Sequence, residues 1–379
     1  MKKIKNVTIK NLKILKDVTL ELGDLTLITG ANSSGKSTFI QALLLLKQNQ
    51  ESLKLISNNK LIEKSINKKD YPEINKVVMK MLNDSKNIQI NLNGDYIQLG
   101  DKKDLFNETV YEEDIVIELN IDELGLYKVI CNYKNLTIAI DSKMPSETIT
   151  NLFADDFQYI NTDRIQPSLT YSLSEAQIQK NLIGIKGEFT AHYLDENRYK
   201  ILNIKELQHK NSKTEYLLEN VSLWLGEISH GIEVLVKKNI DLKKMELSYK
   251  YTYGDDTTNE YNPFNVGFGI TYVLPIIVAI LKSKPDDLLM IENPESHLHP
   301  AGQSKIAELC AIAASCGVQI IVETHSDHFL NGIRVATKKQ ILKPENSQIY
   351  FFEKEDETIS TKVHNLTIDK EYEILKIVF

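Results

Sequence analysis

Tryptophan occurs once, cysteine three times and proline nine times in this chain of 379 residues. Cys131, Cys310 and Cys316 are odd in number and form no C-x-x-C pair, which excludes a disulfide framework and leaves buried, reduced thiols as the expectation. Positive charge is also short: 45 Lys and Arg face 52 Asp and Glu, a net charge of −7. A global basic field is therefore excluded, and contact with nucleic acid would need a local patch. Long hydrophobic runs are missing as well. The longest, residues 273–281, is far too short to cross a bilayer and contains Pro275. After the basic start Met1-Lys2-Lys3 the residues alternate in polarity, unlike the core of a secretory leader. Internal repeats, heptad arrays and low-complexity linkers do not occur. An apolar fraction of 42% and a charged fraction of 26% are ordinary for a globular chain. The expectation is a soluble, cytoplasmic protein with no membrane partner, built as one large domain with an insertion or as two domains.

What the chain does have is Gly30-Ala31-Asn32-Ser33-Ser34-Gly35-Lys36-Ser37, set directly after the apolar run Leu25-Thr26-Leu27-Ile28-Thr29. This satisfies G-x-x-x-x-G-K-[ST], a loop whose backbone N–H groups cradle phosphates. Gly30 and Gly35 lack a Cβ, so the backbone can turn tightly and approach an anion. Lys36 can reach the β- and γ-phosphates, and the Ser37 hydroxyl can ligate Mg²⁺. From Thr38 an apolar helical run follows, whose N-terminus faces the phosphate. The stretch predicts binding of a nucleoside triphosphate, ATP with Mg²⁺ as its cofactors.

A second set of motifs lies far downstream. Leu288-Leu289-Met290-Ile291-Glu292 reads as a buried strand ending in an acid that holds Mg²⁺ directly or through water. Gln319-Ile320-Ile321-Val322-Glu323-Thr324-His325-Ser326 reads as another, delivering His325 to the sheet edge where ligands of parallel sheets collect. Val266-Gly267-Phe268-Gly269 opens a helix over residues 272–281, and its two glycines form a second anion nest.

Elsewhere the pattern is coarser. Alternation predicts strands over residues 4–9 and 17–22 with a turn at residues 11–13, then strands over 88–92, 96–99, 115–121, 128–133, 136–140 and 157–161. Residues 52–85 read as helices. Helical spacing marks 174–179, 189–197 and 214–228, and alternation returns at 232–236 and 244–253. The predicted organisation is an N-lobe over 1–167, a mainly helical insertion with a β-hairpin over 168–260, and a C-lobe over 261–379.

Taken together, these four motifs resemble ABC-type ATPases of the branch holding RecF-like proteins, chromosome-structure ATPases and the overcoming-lysogenization-defect nucleases. The wording Glu292-Asn293-Pro294-Glu295-Ser296-His297-Leu298-His299-Pro300 with Thr324-His325-Ser326 resembles stand-alone bacterial ATPases of phage-defence operons. The segments Gly184-Ile185-Lys186-Gly187-Glu188-Phe189 and Asn265-Val266-Gly267-Phe268-Gly269 resemble that subgroup too.

The resemblance implies an α/β phosphate-loop ATPase head, with a mixed or parallel sheet, an antiparallel β subdomain and a helical insertion. It implies a homodimer or larger homo-oligomer sandwiching two ATP molecules, a separately encoded effector such as a nuclease, and DNA as a further ligand. Residue by residue, Gly30, Asn32, Ser33, Ser34, Gly35, Lys36, Ser37 and Thr38 bind the nucleotide, while Ser37 and Glu292 hold the metal. Gly267 and Gly269 act on the partner's γ-phosphate, residues 296–300 cross the dimer interface, and His325 is the switch histidine. Gln98 or Gln158 is the lid-loop sensor.

Three departures stand out. Asn293 occupies the place of the usual catalytic carboxylate and cannot accept a proton, which shifts the base to Glu295. Gly267 stands where the signature serine belongs. The opening strands offer Leu12 and Leu15 where an aromatic often stacks on adenine. A metal cluster of His297, His299, His325 and His328, and a nuclease beginning near Tyr350 and Asp356, are weaker readings. An ATPase cycle and a hydrolysis-poor, nucleotide-gated assembly module both fit, with DNA repair as a further alternative that the missing heptads disfavour.

Overall fold

A computed structural model describes residues 2–65, 88–107, 112–141, 150–355 and 360–368, with the side chains of 60–65 left aside. Residues 66–85 of the predicted helical stretch and Asp356 lie outside the described residues. The chain folds into two units. The smaller comprises Met1–Leu22, Gly30–Ala154 and Phe352–His364, and the larger comprises Gly23–Thr29, Asp155–Phe351 and Asn365–Phe379.

In the smaller unit an antiparallel sheet has the order β2-β1-β4-β5-β6. Its strands are β1 (Ile4–Leu12), β2 (Leu15–Glu21), β4 (Ile115–Ile121), β5 (Gly125–Cys131) and β6 (Ile138–Ile140), with β3 reserved for a strand described below. Alternation puts Ile117, Leu119 and Ile121 inward along β4. The first hairpin is tighter than predicted. Leu12 pairs with Leu15, so both belong to strands and only Lys13 and Ile14 turn. Helices α1 (Lys36–Gln48) and α2 (Gln50–Ser65) follow the phosphate loop. The predicted strands 88–92 and 96–99 form only the isolated pairings Gln89↔Thr137 and Asn93↔Gln98. Side chains replace ladder partners there. Asn49 bonds both ways with the Asn91 backbone, and the Gln48 amide oxygen accepts from the N–H groups of Tyr96 and Ile97.

The larger unit carries most of β13 (Ser347–Lys354) and of β3 (Leu25–Gly30), and all of β12 (Gln319–Glu323), β11 (Leu288–Glu292) and β7 (Gln158–Ile160), side by side. From β3 to β7 the pairing is parallel throughout. Continuous apolar runs suit strands covered on both faces, and β11 and β12 are buried along their whole apolar length. Helices α6 (Phe268–Leu281), α7 (Pro300–Ser315) and α8 (Asp327–Lys338) belong to this unit. So do α3 (Glu175–Gln179), α4 (Thr190–Glu196) and α5 (Leu217–Gly226), and the sheet of β8 (Ile232–Asn239), β9 (Lys244–Tyr253) and β10 (Asp256–Thr257). One core joins them: Tyr193, Val221, Val234 and Tyr249 pack in the same cluster as Ile277, Ile291 and Ile320. The remaining strand is β14 (Thr361–Leu366).

The cysteines are free, with Cys131 and Cys310 buried and Cys316 half-buried. Burial pushes the thiols of Cys131 and Cys310 up to about 12, which keeps them protonated. No helix among the described residues is long and apolar enough to cross a membrane.

Candidate functional site

The phosphate loop belongs to the smaller unit. Gly30, Ser33 and Gly35 all have positive φ, at 136°, 60° and 99°. A Cβ on Gly30 would stand 2.1 Å from the carbonyl oxygen of Phe352, and one on Gly35 would meet Leu15 at 2.7 Å. Both glycines are therefore demanded by the local backbone and its packing. Thr361 ties the loop down by donating to the Ser34 carbonyl at 2.7 Å, and the Ser34 hydroxyl donates to Ala31 O at 2.8 Å. Lys36 folds back over the loop and donates to the carbonyls of Gly30 and Ala31 at 3.0 and 2.6 Å. Asn32, Ser33 and Ser37 are exposed, while Ser34, Lys36 and Thr38 are buried. The first-turn N–H groups of α1 have no partners within the helix, which suits an anion.

The downstream motifs are assembled in the larger unit. β11 and β12 run in register, Glu292 beside Glu323, so both strands end at one edge. Each carboxylate oxygen of Glu292 accepts a hydroxyl, Tyr159 at 3.0 Å and Thr162 at 3.1 Å. Burial raises the Glu292 carboxyl above its ordinary range, and the same burial drives the Tyr159 phenol upward. A carboxylate has further lone pairs, so these two hydroxyls leave capacity for a cation. Asn293 follows at φ 45°, with its N–H donating to Glu323 O at 2.8 Å. Its carboxamide nitrogen lies 3.4 Å from the Thr162 hydroxyl, and its buried Oδ1 has no hydrogen-bond partner among the described residues.

Glu295 is held at both oxygens, by the Thr324 hydroxyl at 2.7 Å and the His325 N–H at 2.8 Å. The structure thus joins Glu295 to His325, which sequence could only place in separate motifs. The His325 imidazole is exposed and 3.5 Å from the Glu323 carboxylate. Ser326 caps α8. His299 caps α7, and His297 packs against the rings of Phe268 and Tyr272 at 4.6 and 5.0 Å. The predicted histidine cluster therefore does not form a ligand set among the described residues.

The two glycines expected to form the signature motif differ. A Cβ on Gly269 would lie 2.3 Å from the carbonyl oxygen of His297, whereas the same position on Gly267 is open. Gly269 is a packing glycine that lets residues 296–300 lie on α6. Three further expectations are corrected or sharpened. Leu12 and Leu15 are buried in the smaller unit's core, 1% and 0% exposed, so neither offers a face to adenine. Gln158 is also buried, and its amide is spent on Tyr159 O, Gly184 O and the Ile183 N–H. Gln98 is exposed, in the smaller unit, and donates to Gly94 O.

Sequence reasoning missed what the turn after β7 does. Arg164 is 2% exposed, yet its guanidinium donates to Glu292 O and Asn293 O, each at 2.7 Å, and to Asn161 O at 3.0 Å. It lies 4.2 Å over the Tyr272 ring. Tyr272 in turn donates to Thr162 O. Residues 184–187, which resembled a subgroup without an assignable role, support this turn: Ile185 O accepts from Asn161 and Lys186 O from Ile165, both at 2.9 Å. Gly187 fits because a Cβ there would stand 2.3 Å from Pro275. The one signal in the sequence was an arginine four positions beyond a buried strand.

Glu175, His192 and Glu196 also come together in the larger unit. His192 Nδ1 accepts from the Ser174 N–H, so the neutral ring carries its proton on Nε2, and Lys238 lies 3.6 Å from both carboxylates. This is an ion-pair cluster rather than a metal cradle. A cleft of about 900 Å³ in the same unit is lined by Tyr199, His209, Tyr216, Glu227 and His230, and by none of the motif residues.

Residues 25–331 match the family described as AAA domain, putative AbiEii toxin, Type IV TA system. The Old nuclease of Escherichia phage P2 is 31% identical over 83 residues, covering 22% of this chain and 13% of that protein. The OLD nuclease of Thermus scotoductus is 22% identical over 388 residues, covering 96% of this chain and 66% of that protein. The chain thus spans under two thirds of either relative. Among solved structures, the SMC head domain from Thermotoga maritima is 13% identical with a TM-score of 0.45, covering 96% of this chain and 98% of that one. An Smc head domain from Pyrococcus furiosus with an extended coiled coil, bound to the C-terminal domain of ScpA, is 16% identical with a TM-score of 0.49, covering 98% of each. With its phosphate loop and its acid-ended parallel strand, the chain belongs to the AAA-domain family described as putative AbiEii toxin of Type IV TA systems, within the ABC-type ATPases of the branch that includes the OLD nucleases.

Proposed function

We propose that this chain is an ATP-hydrolysing switch that dimerises around ATP and gates a partner effector in anti-phage defence. Residues 30–38 bind the triphosphate through backbone N–H groups and Lys36; Ser37 on that loop and, in its own unit, Glu292 at the end of β11 are the residues that would hold Mg²⁺, which would supply charge neutralisation at the phosphates. Asn293 orients the attacking water, Glu295 accepts its proton, and His325 senses the γ-phosphate. Gly267 and Gly269 act on the nucleotide of a second copy. The relatives are nucleases by name, which supports a nuclease as the separately encoded effector and DNA as a further ligand.

The observation that carries this reading is the loop: two glycines at positive φ where a Cβ would be strained, and a lysine folded back over the loop at the start of a helix. A second reading has its own support. Glu295 is tied at both oxygens and Asn293 is an amide, which favours a nucleotide-gated assembly module with little turnover. Phosphate release and calorimetric ATP titration, run on wild type, Lys36→Ala and Glu295→Gln, separate the two. Binding with turnover that Glu295→Gln removes supports the switch; binding with negligible turnover in all supports the module.

A further inference from the structure

A buried cation without a carboxylate in hydrogen-bonding contact is costly, several kcal/mol on the order of the usual desolvation penalty. Arg164 is such a cation. Its three guanidinium hydrogen bonds all go to backbone carbonyls, its buried Nε has no hydrogen-bond partner among the described residues, and its face lies on Tyr272. Desolvation lowers its affinity for its proton only to about 10, so it stays charged at neutral pH. Two of the three carbonyls are consecutive, Glu292 and Asn293, and belong to the peptides on either side of the left-handed Asn293. Lysine, a point donor, cannot grip two neighbouring carbonyls with one planar fork.

Resting on the ATPase reading above, we propose that Arg164 is a positioning residue: its fork fixes the two peptides on either side of Asn293 and thereby sets the directions of the Glu292, Asn293 and Glu295 side chains, which that reading makes metal ligand, water-orienting group and base. The turn has a second tether, the Asn293 N–H to Glu323 O, so loss of Arg164 leaves strand β11 paired and frees only the peptide beyond it. The cost of burying the guanidinium falls on the one turn where three working side chains meet.

Arg164→Lys keeps the charge and removes the fork. Arg164→Met, which keeps a stem against Tyr272, serves where the lysine variant does not fold. Two measurements are made on each. In steady-state turnover, kcat falls about 10- to 100-fold while KM and the calorimetric ATP affinity stay within about 3-fold, the mark of misplacement rather than lost binding. In amide hydrogen exchange without nucleotide, the peptide covering 293–298 exchanges at least about 10-fold faster, while the peptide covering β12 keeps its protection. The second readout does not depend on turnover, so a wild type that fails to hydrolyse ATP overturns the functional reading and leaves this one decided by exchange alone. Unchanged exchange at 293–298 overturns the proposal. So does a loss of kcat matched by an equal loss of ATP affinity or of protection across the whole unit.

Discussion

The carbonyl oxygen of His297 lies 2.3 Å from where a Cβ on Gly269 would stand. The second glycine of the signature-like motif is therefore fixed by its own chain, before any partner is considered. Gly269→Ala must push residues 296–300 off α6, an overpacking cost of about 1–3 kcal/mol. Thermal unfolding should show a clear drop in melting temperature for Gly269→Ala and none beyond about 1 °C for Gly267→Ser. Equal melting temperatures for the two variants would contradict the packing role.

Gly267 is the better probe of the proposed ATP sandwich. It has φ −58° and open space around its missing Cβ, so a side chain is accepted without strain. Gly267→Glu is expected to leave the protomer folded and to abolish ATP-dependent dimerisation by setting a carboxylate against a second copy's triphosphate. Sedimentation with ATP present, showing the same oligomer for wild type and Gly267→Glu, would rule the arrangement out.

Motifs carried by short local chemistry were legible in the sequence. The strand Leu288–Glu292 lies where its apolar run and terminal acid put it, and the loop glycines have the positive φ that their pattern demands. Interactions made through distant backbone were not. Arg164 is recognisable only once the Glu292 and Asn293 carbonyls are beside it, since a carbonyl has no residue type to read. Alternation over 88–92 suggested a strand, but Gln48 and Asn49 supply the partners a strand would have provided. Asn293 looked like a missing carboxylate. Its left-handed φ gives a physical account, because Asn tolerates that region at a cost that is about 1 kcal/mol or more for longer side chains such as Glu.

Glu227 makes a pH prediction away from the site. Its carboxyl is held at about 2, below the ordinary 4.5, chiefly by the Lys305 hydrogen bond and then by His209. A depressed folded-state value stabilises in full above 4.5 and is lost as pH falls toward 2. Glu227→Gln should therefore lower the melting temperature at neutral pH, with the gap from wild type closing as the pH is taken down through that window. A gap that stays constant to about pH 2 would contradict the linkage.

The identity of the base is tested at adjacent positions. Glu295→Gln is expected to lower kcat by about 10²–10⁴ with ATP affinity nearly unchanged. Asn293→Asp fits the left-handed turn and should raise turnover by giving the site a carboxylate where the related ATPases carry one. Wild-type kinetics in Glu295→Gln would exclude it as the base and favour the hydrolysis-poor module.

The central claim, that the loop at residues 30–38 binds ATP for hydrolysis, is tested most directly by steady-state phosphate release from the wild type and from Lys36→Ala, with and without Mg²⁺. The account predicts Mg²⁺-dependent release from the wild type and none above background from Lys36→Ala, which removes the loop's side-chain cation. Release at equal rates from both proteins, or none from the wild type, would contradict it.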